Sequence, residues 1–583
     1  MTKSKFIFRT LLLSLLALVS CVSEEERRIT ILETTDMHGV IFPYDFIEDE
    51  SLDASLSNAS TYISDLRSKD SIILLDNGDN LQGQPAVYYY NFIDTASNHI
   101  LAEAMNYLNY DAGTTGNHDF EAGHDVYDRL KKEYDFPLLS ANAVDKSTGE
   151  PYFNAYTIIE RNGIKVAILG MVTPLVPTWL PEELYSGIEF RSMVETAQKW
   201  MPVIKKEEPD IIIGLFHSGF NKEEFDENPA SYRSEDGSTA VALNVPGFDV
   251  IFNGHDHRLA NEKLVNIYGD TVLMLNAGSK VTNIAQAEIV IDKSGKKRII
   301  GNLIDLDNYK PDKEFQVKFE NQFKILTEYV DREIGVSKST LTSREAYFGP
   351  SPFVDMIHKV QLDITGTQIS FSAPLSFDVK ISAGPIRVGD MFKLYKYENM
   401  LYVMELTGSE IRKYLEYSYS GWLNTMKSSN DLMLKLKVAK DGKPVLKNGK
   451  AWLINQPYNF DSAVGIEYVV DVTKPEGERV TILKLADGSV FKEDEKYKVA
   501  INSYRGSGGG GHLTEGAGLT PEDLNFRLIN STDKDLRYYI LKYIEQKKVI
   551  SAESYNNWKI VPEKWHDTAK KREYKLLFGR EEL

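Results

Sequence analysis

The chain has 583 residues, 42% of them hydrophobic and 26% charged, too many for a single hydrophobic core, so two or more domains are expected. Its formal net charge of −18 argues against a binder of nucleic-acid polymers, which needs a basic face. Small anionic substrates stay open, because bound cations can invert the local field.

Residues 1–20 read as a signal peptide. Lys3, Lys5 and Arg9 supply a positive start, and Leu11–Val19 is an apolar run too short to span a bilayer. The run ends in Leu18-Val19-Ser20-Cys21, which resembles a bacterial lipobox. That resemblance implies cleavage before Cys21, lipid on this single cysteine, and a tether over residues 21–28 that includes the acidic Glu24-Glu25-Glu26. The expected location is a membrane-anchored lipoprotein facing the periplasm or cell surface. With no second cysteine there is no disulfide, and the exported fold rests on its core alone.

Apolar runs that stop on acids and histidines organise residues 29–305. Ile29-Thr30-Ile31-Leu32 suits a buried strand and leads to Asp36 and His38, with Gly39 behind them. A helix over Ala54–Leu66 is followed by the run Ser71–Leu75, which delivers Asp76 and Asp79 into a glycine-containing turn. A carboxylate such as Asp79 has two oxygens with lone pairs and can bridge two cations. A helix around Ile100–Leu108 precedes Gly116-Asn117-His118-Asp119-Phe120-Glu121, where Glu121 is placed to fix the tautomer and pKa of His118. Further strands at Phe136–Ser140, Val166–Gly170 and Ile211–Phe216 lead to His217, and Asp249–Asn253 leads to His255 and His257. Strands separated by helical stretches imply a largely parallel sheet, or two stacked ones. Ligands in such sheets gather beyond the carboxyl ends of the strands. Five of the ten histidines fall at these turns, and mixed nitrogen and oxygen donors suit zinc, manganese, iron or cobalt.

This order of Asp-x-His, Gly-Asp, Gly-Asn-His-Asp, a lone His and Gly-His-x-His resembles the calcineurin-like metallophosphoesterases, and Ile29–Ile41 resembles the stretch that opens the 5′-nucleotidase family. The resemblance implies an α/β fold with an N-terminal β-sandwich flanked by helices. It implies two divalent metal ions, one held by Asp36, His38, Asp79 and His257, the other by Asp79, Asn117, His217 and His255. His118, oriented by Glu121, would be the catalytic residue, with Asp119 and Asp256 beside the ligands.

Residues 306–335 read as one charged linker helix, with Phe315, Phe319, Phe323, Leu326 and Val330 at three-and-four spacing. Residues 336–548 form an α+β domain, and the tail 549–583, with Trp558 and Trp565, is expected to pack back on a domain. This part resembles the substrate-binding domain of 5′-nucleotidases, where two loop aromatics clamp a base. Phe460 and Tyr504 take those places, with Asn502 and Arg505 completing the substrate-binding set. Tyr458–Pro475 and Asn502–Gly511 resemble the bifunctional 2′,3′-cyclic-nucleotide 2′-phosphodiesterase/3′-nucleotidases. The phosphate-side Gly-Gly-Ile-Arg element of 5′-nucleotidases is Ser372-Ala373-Pro374-Leu375 here, and their ribose-binding aspartate is Gly510. Arg387 is the next arginine downstream. The expected reaction is hydrolysis of 2′,3′-cyclic nucleotides and 3′-nucleotides. The alternatives are a 5′-nucleotidase or UDP-sugar hydrolase, a nucleoside-binding lipoprotein without activity, and a sulfur-compound hydrolase on the same scaffold.

Overall fold

The computed structural model describes residues 26–220, 235–551 and 553–579. The signal peptide, the lipobox and most of the tether lie outside them. No helix among the described residues is long and apolar enough to cross a membrane.

The first half is built on two six-stranded sheets. Arg27–Thr34, whose strand begins inside the segment read as tether, lies parallel to Ile72–Asp76, beyond which come Ala112–Thr114 and then, at the edge, Leu138–Leu139. On the other side it meets the antiparallel pair Asn283–Ile291 and Lys297–Asp305. The second sheet centres on Ile164–Val172, Ile211–His217, Val250–Asn253 and Thr271–Ala277, all parallel. Its edges are the antiparallel Tyr156–Arg161 and Leu259–Val265. The sheets are stacked: Ile29, Ile31, Ile73 and Leu75 of one bury against Val166, Ile168, Ile213 and Phe252 of the other. Near-continuous Ile, Val and Leu runs follow from burial on both faces. The outer faces are covered by helices, among them Leu56–Arg67 and Ile100–Tyr107 over the first sheet and Met193–Lys206 over the second. The result is the helix-flanked β-sandwich expected from the sequence.

The linker differs from a single helix. Asp312 caps a short helix, Lys313–Lys318, through the N–H groups of Glu314 and Phe315, and the chain breaks at Phe319 before a second helix, Glu320–Asp331. Phe315 and Phe319 pack on each other at 4.7 Å and fill the first half's core with Leu326 and Val330. The three-and-four spacing continues through the break, which is why it is invisible in the pattern.

The second half carries a five-stranded sheet ordered Ser462–Val464, Ile369–Ser372, Lys496–Asn502, Met400–Thr407 and Leu528–Asp535. The helices Pro352–Thr365, Gly408–Trp422 and Leu536–Lys547 pack on it. The segment after residue 549 is woven in rather than laid on. Val549–Ile550 pairs with Glu333–Ser337, and Trp558–Val561 pairs in parallel with Ile466–Asp471. The helix Glu563–Phe578 then buries Tyr574, Leu577 and Phe578 in the core that holds Trp422 and Tyr347.

The two halves meet around a buried arginine. The Arg537 guanidinium lies 4.8 Å from the ring of Tyr88 and 4.2 Å from that of Phe392, and its Nη1 donates to Glu398 at 2.7 Å. Tyr88 of the first half donates to Asp535 of the second at 3.0 Å.

Candidate metal centre and substrate cleft

The loops after the strands Arg27–Thr34, Ile72–Asp76, Ala112–Thr114, Ile211–His217 and Val250–Asn253 converge at one end of the sandwich, beyond the carboxyl ends of the strands. They bring Asp36, His38 and His257 into one group and Asp79, His217 and His255 into a second, the ligand atoms in each lying within 4.8 Å of one another. Asp79 stands between the groups: its Oδ2 is 3.1 Å from His217 Nε2, and its charge acts on His38 as well. Asn117 opens the short helix Asn117–Glu121, and its buried Oδ1 has no hydrogen-bond partner. His217 Nε2 is likewise buried and unbonded despite its closeness to Asp79.

Neighbouring carbonyls set the histidine tautomers. His38 Nδ1 donates to the Gln82 carbonyl at 3.0 Å and His217 Nδ1 to that of Asn77 at 2.6 Å, so each presents the Nε2 lone pair to the site. His255 Nε2 faces Glu235 Oε1 at 2.8 Å, which leaves Nδ1 as its ligand atom. The Nε2 atoms of His38 and His257 are 3.0 Å apart. Convergent lone pairs, two unbonded buried donors and two buried carboxylates fit a pair of divalent cations.

The backbone is strained to reach this arrangement. Asp36, His38, Asp79, His255 and His257 all have positive φ, between 49° and 77°. Non-glycine residues hold such angles only where the surroundings over-determine them, and the cost gathers at functional sites. Backbone bonds lace the loops together: Asp36 N–H to Gly78, His38 N–H to Asp79 and Lys280 N–H to Asp36. Asp119 is the clamp beneath them. Its carboxylate accepts the N–H groups of Asp79, Asn80, Leu81 and Gly116 at 2.7–3.1 Å, so it shapes the Asp79 turn and is not a ligand. Asp256 similarly braces the Gly-His-x-His turn through Arg258 N–H and Asn276.

At Gly116 an added Cβ would lie 2.1 Å from Asp79 Oδ1, and at Gly254 2.3 Å from Thr35 Oγ1 and 3.0 Å from Asp36 Oδ2. Gly116→Ala, which keeps every ligand, is therefore expected to lower bound metal as well as turnover, read by elemental analysis beside the rate.

His118 lines the cleft next to these groups. Its Nδ1 meets Glu121 Oε2 at 2.6 Å, the contact expected from the sequence. Burial works against a charged ring, but the Asp79 and Glu121 carboxylates outweigh it and push His118 up to about 10.

The metal groups open into a cleft of about 700 Å³ between the halves. Its far wall holds Tyr397, Tyr458, Asn502 and Tyr504. Tyr458 and Tyr504 are half-buried, their rings edge-on with centroids 6.3 Å apart. Phe460 does not reach this wall. It is 1% exposed and stacks flat on Trp422, with ring centroids 5.2 Å apart, so it is a core side chain, and Tyr458 is the aromatic of this loop that lines the cleft. Arg505 is also internal: it pairs with Asp461 at 2.7 Å and donates to Gly509 O and Asn459 Oδ1, tying the Tyr458 loop to the Tyr504 loop. Asn502 caps the turn through Arg505 N–H while it lines the cleft. Arg387 lies outside the cleft, exposed, with Asp331 3.4 Å away. Sequence reading also missed Glu235, Gln82 and Trp179, whose ring is 5.4 Å from that of His255. None of these carries a motif of its own.

Residues 29–259 match the calcineurin-like phosphoesterase family, and residues 333–515 match the 5′-nucleotidase C-terminal domain. The chain is 25% identical over 600 residues to the 2′,3′-cyclic-nucleotide 2′-phosphodiesterase/3′-nucleotidase of Haemophilus influenzae, covering 91% of this chain and 87% of that one. It is 29% identical over 602 residues to the trifunctional nucleotide phosphoesterase protein YfkN of Bacillus subtilis, of whose length it spans only 39%. A solved 5′-nucleotidase precursor from Thermus thermophilus shares the fold, with a TM-score of 0.60 at 20% identity over 92% of this chain and 99% of that one. The chain belongs to the calcineurin-like metallophosphoesterases with a 5′-nucleotidase C-terminal domain, and it is a phosphoester hydrolase.

Proposed function

We propose that the protein is an exported nucleotide phosphoesterase that hydrolyses 2′,3′-cyclic nucleotides and 3′-nucleotides to nucleosides and phosphate. The observation that carries this reading is the composite cleft, with metal-binding groups on one wall and the Tyr458–Tyr504 pair on the other. The names of the full-length relatives support it. So does the second half's Ser372-Ala373-Pro374-Leu375 stretch, where Ala373 and Leu375 are buried and no arginine is offered to a 5′-phosphate.

Asp36, His38, Asp79 and His257 would hold one cation, and Asp79, Asn117, His217 and His255 the other. Such a pair acidifies water and neutralises charge on the attacking and leaving oxygens. Glu121 fixes His118 through Nδ1, and His118 keeps its second ring proton on Nε2. That proton stabilises charge on the phosphoryl oxygens or passes to the leaving alkoxide. His118→Ala is expected to cut kcat by about 10²–10⁴-fold with bound metal unchanged. Near-normal turnover would remove the role. Tyr458 and Tyr504 present ring faces and edges on which a base can stack. Tyr458→Ala is expected to raise KM about tenfold or more, since base stacking is worth about 1–3 kcal/mol.

A panel of 2′,3′-cyclic AMP, 3′-AMP and 5′-AMP with added manganese or zinc tests the substrate. Faster hydrolysis of 5′-AMP would assign the chain to the 5′-nucleotidase alternative. The export reading rests on Leu18–Cys21, and the label from a radioactive fatty acid should be lost in Cys21→Ala.

A further inference from the structure

The acids that line the cleft are all engaged. Asp45 accepts the N–H groups of Ile47 and Glu48, and Glu48 pairs with Lys393 at 3.1 Å. Glu121 holds His118, Glu235 holds His255 and Asp378 holds Arg344. Two cleft-lining lysines remain, Lys280 from the first half and Lys396 from the second, and no ion pair joins either of them among the described residues. In a chain of net charge −18, two unneutralised cations facing one cavity call for a ligand.

Lys280 is held in place by strain. It and the buried Val281 occupy successive positive-φ positions, at 57° and 55°, and the Lys280 N–H is tied to the Asp36 carbonyl at 2.8 Å. Lys396 follows Tyr395, whose carbonyl is held by Arg537, and its own carbonyl accepts from the same guanidinium. Its ammonium lies 5.5 Å from the ring of Tyr397, which in turn meets Tyr458 edge-on. The two ammonium groups feel each other: burial and then the Lys280 charge hold Lys396 below the usual lysine range. Like charges facing each other across a cleft are relieved by an anion between them. Neither lysine belongs to the metal groups, so both are free to take an anion of their own.

We infer that Lys280 and Lys396 form a subsite for a second phosphate of the substrate, so that nucleoside bisphosphates are favoured over monophosphates. The inference rests on the nucleotide reading above. With a 3′-ester at the metal groups and the base on the wall formed by Tyr458 and Tyr504, the 5′-phosphate is the group left for the lysines.

The test compares kcat/KM for adenosine 3′,5′-bisphosphate and 3′-AMP in the metal-loaded enzyme, in Lys280→Gln, in Lys396→Gln and in Lys396→Arg. The wild type is expected to prefer the bisphosphate by about tenfold or more, mostly through KM, as charge-assisted hydrogen bonds allow. Each glutamine variant should lose most of that ratio, and the arginine variant should keep it. Equal turnover of the two nucleotides by the wild type, or an equal loss on both in the variants, would overturn the subsite. Hydrolysis of bis(p-nitrophenyl) phosphate with neither nucleotide turned over would overturn the nucleotide reading and the subsite with it.

Discussion

Alanine at Asp79 is expected to strip metal from both groups and to lower turnover by about 10³-fold or more, the several kcal/mol that a two-cation site supplies. Asp79 is grouped with His217 and His255 and, on the reading proposed above, would serve the Asp36–His38–His257 group as well. Its Oδ2 faces His217 in one, its charge reaches His38 in the other, and its Oδ1 accepts the His118 N–H at 2.8 Å. It is 1% exposed, at positive φ, with Asp119 gripping its turn from below. A substitution here therefore removes a ligand and also loosens the backbone that aims His118. Elemental analysis and single-substrate kinetics on the same preparation check the result. Retention of both metals would show that Asp79 is not shared.

Arg505→Ala is expected to destabilise the second half by about 3–5 kcal/mol, the cost of breaking a buried ion pair and leaving one charge uncompensated. Asp461 is the charge left behind, and it is 1% exposed. The same guanidinium also holds the Asn459 and Gly509 segments, so its loss frees both aromatic loops. The expected pattern is a lower denaturant midpoint together with a raised KM. A raised KM at unchanged stability would return Arg505 to direct substrate contact. Phe460→Ala should resemble Arg505→Ala in stability, because the ring is stacked against Trp422 inside the core.

These variants mark where the sequence was legible. Asp36, His38, Asp79, His217, His255 and His257 were readable because each follows an apolar strand whose end the topology must expose, and Asn117 and His118 because they crowd into one glycine-flanked turn. The same strands left one parallel sheet or two stacked ones open, and the family resemblance pointed to the sandwich. The base wall was less legible, since Tyr458-Asn459-Phe460 offers two aromatics with no periodicity to rank them. A short 3₁₀ turn at Pro457–Asn459 sends Tyr458 outward and Phe460 inward. The break at Phe319 was hidden because both of its flanking helices bury the same kind of side chain. Arg505 and Arg387 were equally ambiguous, for a guanidinium serves a buried carboxylate as well as it serves a phosphate.

The strand Trp558–Val561 and the helix Glu563–Phe578 also bear on the order of synthesis. The first half has all its strands once residue 305 is made, so its sandwich can close while the rest is still being translated. The second half lacks a strand and part of its core until residues 558–578 emerge. Trp422 and Tyr347 then wait for partners more than a hundred residues away, and a chaperone present during that interval would meet the second half and not the first.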